Sequence, residues 1–205
     1  MIANAAPPRR PHLNKWNLMN EYMEMEVSLL HIKPRIWRRF LITVKASFHD
    51  LHTAIQLAGP WHEEHLWEFY TGKGRSRQTI CMPDGQPDFI TGEVPQSPDD
   101  VRITDYLHEK GDKCNYVYDF GDGWEHEIKL RKRVELKEKF VARLLDGALA
   151  FPPEDCGGVW GYERCLEVMR TPEGTGDNEI EGLRHWLNGW TNAWDLEEAK
   201  KDFDQ

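Results

Sequence analysis

Alternating apolar and polar residues predict strands in the first two thirds of the chain. Over residues 22–32 the apolar side chains Met25, Val27 and Leu29 alternate with polar ones, which is the period-two pattern of a half-buried strand. A second strand is predicted over residues 35–42, with Pro34 at its start. Further strands are predicted over residues 66–70 and around residue 80, and a hairpin is predicted over residues 113–135. Residues 141–149 could be a strand or a helix, and Gly147-Ala148 near their end favours a strand followed by a turn.

Helical periodicity is concentrated in the C-terminal third. Apolar residues recur at helical spacing from Tyr162 to Met169 and from Ile180 to Leu187, and a polar final helix is predicted over residues 195–203. An earlier helix is predicted to begin after a capping box formed by Ser47 and Asp50, and a short helix is predicted over residues 103–109. Strands followed by helices predict an α+β fold with a mainly antiparallel sheet.

Residues 116–126, Tyr-Val-Tyr-Asp-Phe-Gly-Asp-Gly-Trp-Glu-His, predict a β-hairpin. The dipeptide Asp122-Gly123 suits a two-residue type I′ turn, which needs positive φ at both central residues. That turn would make Asp119 and His126 direct cross-strand neighbours on the buried face. Tyr116 would then lie on the opposite, partly exposed face.

Several side chains could bind a metal ion or transfer protons. Candidate metal ligands are His52, His62, His65, Asp119, Asp122, His126, Glu154 and Asp155, of which Asp119, His126, Glu154 and Asp155 are also candidate catalytic residues. Imidazole and carboxylate groups with an open coordination position suit Zn²⁺, Mn²⁺ or Fe²⁺. Structural roles are the alternative: Asp119 and His126 could fix the strand register, and Asp122 could serve the turn.

The acidic loop Phe151-Pro152-Pro153-Glu154-Asp155-Cys156-Gly157-Gly158 is predicted to be irregular, because prolines and glycines interrupt it. Glu154 and Asp155 could cap a helix that begins near Gly161, or could orient the loop by accepting backbone N–H groups. Neither role requires catalysis.

Length, charge and cysteine spacing limit the class of protein. A chain of 205 residues predicts a single domain over residues 21–205, preceded by a flexible N-terminal arm over residues 1–20 that contains Arg9 and Arg10. The four cysteines lack Cys-x-x-Cys spacing, and no apolar run approaches the roughly 20 residues of a membrane span. An intracellular, cytoplasmic protein with free thiols is expected. The net charge of −9 disfavours nucleic-acid binding.

Five segments of the chain together resemble the plasmid pRiA4b ORF-3-like proteins, which also occur as the passenger-protein domain of some insertion elements. The matching segments, which cover most of residues 22–170, are Pro34–Arg39, residues 50–56, residues 61–69, residues 116–126 and Pro152–Gly158. The resemblance implies the fold and an association with plasmid-type or mobile-element genes. It implies no activity, since the family has no established biochemical function.

Three functions therefore compete. The favoured hypothesis is an interaction module that binds a protein or peptide; the residues expected to form its surface are Arg38, Arg39, Trp61, Trp67, Tyr116, Tyr118 and Trp124. The alternative is a metal-dependent hydrolase or related enzyme. The third is a nucleic-acid-binding protein that uses the N-terminal arm with Arg38 and Arg39. No P-loop or Gly-x-Ser-x-Gly sequence indicates another enzyme class.

Overall fold

The computed structural model describes residues 19–59, 61–83, 85–88, 91–174 and 176–204. Within them, seven strands form one sheet: β1 (Asn20–Leu29), β2 (Trp37–Thr43), β3 (Trp67–Thr71), β4 (Gln78–Ile80), β5 (Lys113–Tyr118), β6 (Trp124–Leu136) and β7 (Ala142–Ala148). The predicted N-terminal arm lies outside the described residues except for Met19 and for Asn20, which begins β1.

The strand order is β4-β3-β5-β6-β1-β2-β7, and every pair of neighbouring strands is antiparallel. The helices are α1 (Phe48–Ala58), α2 (Gly158–Arg170), α3 (Asn178–Leu187) and α4 (Leu196–Phe203). Three of the four lie in the C-terminal third, so the predicted α+β class is confirmed. None of the helices in the described ranges is long and apolar enough to cross a membrane.

The predicted capping box begins α1. The Asp50 N–H donates to Ser47 Oγ at 3.1 Å, and the Ser47 N–H donates to Asp50 Oδ2 at 2.8 Å. One face of the helix buries Leu51 and Ile55 in the core. Helix α1 thereby also brings polar side chains against the sheet.

The connection between β5 and β6 is longer than predicted. Residues 119–123 join the strands, Asp119 has a left-handed backbone with φ of 56°, and the Gly123 N–H donates to the Asp119 carbonyl at 2.6 Å. The Asp119 carboxylate accepts from the N–H groups of Gly121 and Asp122, at 2.9 and 3.2 Å. These local hydrogen bonds stabilise the longer loop over the predicted two-residue turn.

The predicted pairing of Asp119 with His126 is therefore wrong. His126 pairs with Tyr116, and Trp124 pairs with Tyr118. Because the register moves by three residues, an odd number, β5 presents its other face to the core. Tyr116 and Tyr118 are both fully buried beside His126, whereas Asp119 lies in the loop.

Candidate functional site

Three loops meet at one end of the sheet, and hydrogen bonds join them. They are the segment 61–66 before β3, the β5–β6 loop, and the loop 151–157 before α2. The Asp119 N–H donates to the Leu66 carbonyl at 2.9 Å, and the Gly157 N–H donates to Asp122 Oδ2 at 3.1 Å. Asp122 thus ties two of the loops together, in addition to forming part of the turn.

The three loops bring together His65, Asp119 and Asp155. His65 Nε2 lies 3.3 Å from Asp155 Oδ1 and 3.8 Å from Asp119 Oδ2, and one donor atom from each residue lies within 4.8 Å of the others. His65 Nε2 is buried and has no hydrogen-bond partner among the described residues. We call these three residues the loop cluster.

The local fold orients each member of the loop cluster. Asp119 uses Oδ1 for the two loop N–H groups, which leaves Oδ2 as the oxygen nearer to His65. Asp155 has a left-handed backbone with φ of 58°, and its side chain is 67% exposed. The His65 ring packs edge-on against Tyr118 with the ring centroids 5.7 Å apart. The cluster therefore has a buried side and a side open to solvent.

This geometry fits a divalent metal ion. Zinc bonds of about 2.0 to 2.2 Å in tetrahedral geometry place neighbouring donor atoms about 3.4 Å apart, close to the separations of His65 Nε2 from the two carboxylates. One imidazole and two carboxylates suit Zn²⁺, Mn²⁺ or Fe²⁺, and the exposed side leaves room for water or a substrate. Among the residues whose positions are described, this is the only group of three such donors at ligand spacing.

Glu154 connects the loop cluster to two further side chains. Its Oε1 accepts from the Tyr118 hydroxyl at 2.5 Å, and its Oε2 accepts from the His62 backbone N–H at 3.1 Å and contacts His62 Nδ1. Burial and the bond to Glu154 raise the pKa of Tyr118 above its usual value. Glu154 thus accepts a backbone N–H, as predicted, but from the segment 61–66 and not from its own loop. The prediction that it caps a helix is wrong, because Gly157 occupies the N-cap of α2 without a side-chain cap.

His52, a predicted metal ligand, is a core residue and does not belong to the loop cluster. Its Nδ1 lies 2.7 Å from the Tyr116 hydroxyl, which also accepts from Gln56 Nε2 at 3.0 Å. The ring stacks on Trp67 with the centroids 3.9 Å apart. Burial, with a smaller effect from His49, lowers the pKa of His52 to about 3, so the ring is neutral near pH 7.

His126, a predicted catalytic or metal-binding residue, is also buried and does not belong to the loop cluster. Its Nδ1 lies 3.3 Å from the Tyr116 carbonyl, which accepts the Nδ1 proton, and its ring packs against Trp61 and Phe151. Burial lowers the pKa of His126 to about 4. The register of β6 points this side chain into the core.

The predicted aromatic binding surface is not exposed. Trp61, Tyr116, Tyr118 and Trp124 are at most 6% accessible, and Trp61 Nε1 donates to the Pro152 carbonyl at 2.9 Å. Trp67 is half-buried against His52. These rings pack the sheet against the loops that carry the cluster, which explains why so many tryptophans and tyrosines occur here.

Arg38 and Arg39 point to opposite faces of β2 and do not form a joint anion site. Arg38 is fully buried. Arg39 lies 2.7 Å from Asp146 and 3.8 Å from Glu24, so its charge is already paired. Arg9 and Arg10, which the nucleic-acid hypothesis requires, lie outside the described residues.

Sequence reasoning missed a cleft of about 350 Å³ beside the loop cluster. Its lining includes His65, and three of its apolar residues are largely exposed, namely Leu66 (71%), Met82 (58%) and Phe120 (54%). Phe120 in a turn is the one sequence signal that could have indicated it, since turn positions are usually solvent-facing. Exposed apolar side chains around a cleft often mark a binding site.

Comparison with known proteins gives one consistent result. The family model described as plasmid pRiA4b ORF-3-like protein matches residues 21–202. The uncharacterised protein y4hQ of Sinorhizobium fredii is 31% identical over 184 residues, which cover 89% of this chain and 87% of that protein. The crystal structure of MM3350, a protein of unknown function from Methanosarcina mazei Go1, shares the fold with a TM-score of 0.74 and 30% identity, over 90% of this chain and 98% of that one. The chain belongs to the plasmid pRiA4b ORF-3-like family.

Proposed function

We propose that this protein is a metal-dependent hydrolase whose metal ion is held by the loop cluster. The observation that carries the proposal is the convergence of His65, Asp119 and Asp155 from three different loops at ligand spacing. A bound divalent ion supplies Lewis-acid polarisation of a carbonyl or phosphoryl oxygen and of water. The adjoining cleft offers an apolar wall for the rest of the substrate.

His62 and Glu154 can handle protons beside the loop cluster. Nδ1 of His62 faces Glu154, so Nε2 on the far side of the ring is directed away from that carboxylate, and the side chain is 74% exposed. A carboxylate that holds a histidine in one tautomer increases the basicity of the other nitrogen. His62 is therefore the proposed general base, with Glu154 as its positioning residue. Tyr118 holds Glu154 from the buried side.

The test is a hydrolysis screen of the full chain after loading with Zn²⁺ or Mn²⁺. Chromogenic carboxylic esters, amides and phosphoesters with an apolar group are the substrates, and Asp119→Asn is the inactivating variant. Asp99→Asn is the matched control, because Asp99 pairs with His49 at 2.7 Å without belonging to the group of three donors. We expect metal-dependent turnover that Asp119→Asn lowers at least about 100-fold and Asp99→Asn leaves unchanged. Turnover that is equal in both variants would contradict the assignment.

The second candidate function is binding of a peptide or protein through the cleft. Leu66, Met82 and Phe120 are exposed apolar side chains around one concave surface, and none of the predicted aromatic anchors is exposed in their place. If this is the activity, Phe120→Asp abolishes capture of a partner, whereas Asp119→Asn leaves capture intact. The two variants thus separate the two functions.

A further inference from the structure

A second cavity of about 350 Å³ lies between α1, α4, Arg38 of β2 and the loops that contain Phe151 and Trp190. Phe151, Trp190, Trp194 and Leu57 give it an aromatic and aliphatic wall, and Arg38 is part of the lining. Acidic residues Asp195, Glu198 and Asp202 also belong to the lining. The cavity has the size and the mainly apolar character of small-molecule sites.

Arg38 carries a buried charge for which the described residues provide no carboxylate. Its Nε donates to the Ala58 carbonyl at 2.9 Å, and its Nη1 donates to the carbonyls of Trp37 and Ala148 at 2.9 and 3.3 Å. Nη2 has no hydrogen-bond partner in the part of the chain that the structure describes. The guanidinium lies between the rings of Phe151 and Trp194, 4.7 and 4.4 Å from their centroids. A buried cation without an anion is costly, so the site favours an acceptor.

Trp194 provides a second donor of the same kind. Its Nε1 is buried without a partner among the described residues, and its ring both lines the cavity and packs on Arg38. Two such donors in the lining of one cavity are the arrangement that a planar carboxylate can satisfy.

The acidic residues of the lining determine what accompanies the carboxylate. Asp195, Glu198 and Asp202 would repel a simple anion such as phosphate, whereas a ligand with an amino group gains from them. The apolar wall then accommodates a hydrocarbon side chain. We propose that this cavity binds a free amino acid with an apolar side chain, its carboxylate on Arg38 and Trp194 and its ammonium group towards the acidic residues.

The proposal does not depend on the metal function, and calorimetry with the full chain tests it. The probes are L-phenylalanine, L-leucine and L-tryptophan, together with hydrocinnamate, which lacks the amino group, and phenethylamine, which lacks the carboxylate. We expect one-to-one binding of at least one amino acid, with hydrocinnamate and phenethylamine at least about tenfold weaker than phenylalanine if that is the amino acid that binds best. No heat from any of the three amino acids up to about 10 mM would overturn the proposal. Binding of either analogue as tight as the amino acids would overturn it too.

Variants assign the binding to this cavity. Arg38→Lys keeps the charge but loses the planar fork, and we expect at least about tenfold weaker binding. Since a buried arginine can be needed for folding, Trp194→Phe, which removes only the indole N–H donor, and the surface variant Asp202→Asn repeat the test, each with an expected loss of about threefold or more. Asp99→Asn is the control and should bind as the unaltered protein does. Unchanged affinity in the folded Trp194→Phe and Asp202→Asn proteins would place the ligand elsewhere and contradict the proposal.

Discussion

Four histidines in and near the candidate site occupy two opposite environments. His52 and His126 lie in the core, each with a ring nitrogen near Tyr116, and burial keeps both neutral. His62 and His65 lie in a loop, and each has a carboxylate from the 151–157 loop within contact distance. The comparison shows that His52 on a helix and His126 on a strand pack the core, whereas the two loop histidines face carboxylates, which is the arrangement that the proposed chemistry requires.

The largest expected effect concerns the loop cluster. Asp119→Asn keeps an oxygen that can accept the N–H groups of Gly121 and Asp122, and asparagine tolerates the left-handed backbone, so the loop should persist. The variant loses the charged metal ligand, and we expect at least about 100-fold weaker binding of Zn²⁺ or Mn²⁺ by calorimetry. The unaltered protein should melt at a higher temperature with the metal than after chelation. Equal affinity of Asp119→Asn and Asp99→Asn for the metal would contradict a metal site at the loop cluster. His65 would then have no role that the buried histidines lack.

The next effect is loss of stability in acid, which comes from the core histidines. Their pKa values are lowered from 6.5 to about 3 for His52 and about 4 for His126. The unfolded chain therefore binds protons between pH 6.5 and 4 that the folded protein does not, and the free energy of unfolding falls as the pH drops through that range. We expect a loss of about 4 kcal/mol between pH 7.5 and pH 5, about half of it from each histidine, measured by urea unfolding.

Two variants check the source of that pH dependence. His126→Asn retains a donor for the Tyr116 carbonyl and should reduce the slope of stability against pH by about half. His185→Gln, at an exposed position, should leave the slope unchanged. The same slope in all three proteins would show that the buried rings are not its cause.

Two of the buried tyrosines, Tyr116 and Tyr118, should separate effects on stability from effects on hydrolysis. Tyr116→Phe leaves His52 and Gln56 without their shared partner, and we expect a loss of about 2 kcal/mol with unchanged metal binding. Tyr118→Phe removes the hydroxyl that holds Glu154, and we expect about 1 kcal/mol of destabilisation together with a shift in the pH profile of hydrolysis. Urea unfolding and pH–rate profiles of both variants test this. A shifted pH profile of hydrolysis in Tyr116→Phe but not in Tyr118→Phe would contradict the role given to Tyr118.

The smallest effect on the free energy of unfolding is expected at His62. Its side chain is 74% exposed, so His62→Gln should change the free energy of unfolding by less than about 0.5 kcal/mol. Its turnover should nevertheless fall about 100-fold or more, because glutamine cannot act as a general base. A stability loss as large as that of Tyr116→Phe would show that His62 is a structural residue like His52.

Most of the fold could be predicted from the sequence, because the patterns that indicate its strands and helices are local. The alternation over β1, the capping box of α1 and the helical periodicity of α2 and α3 each predicted the element that forms. The short helix predicted over residues 103–109 is instead a single 3₁₀ turn, Ile103–Asp105. Arg38 shares a face of its strand with the buried Phe40, so strict period-two counting could have placed it in the core.

The site was harder to predict from the sequence, because it depends on one turn and on contacts between loops that are distant in the chain. Asp-Gly predicts a two-residue turn, but the Asp119 carboxylate stabilises a five-residue connection that begins three positions earlier. Because of that difference, β5 presents its other face to the core, and Asp119 lies near His65 and not opposite His126. Asp119, Asp155 and His65 were all candidates from their residue types, whereas their convergence is a property of the fold.

The most direct test of the metal site is anomalous diffraction from crystals of the protein grown with Mn²⁺, with data recorded near the manganese absorption edge. The account predicts one strong anomalous peak within bonding distance of His65 Nε2, Asp119 Oδ2 and Asp155 Oδ1, and no such peak in crystals of Asp119→Asn. A peak at His49 and Asp99, or none at the loop cluster, would contradict the central claim.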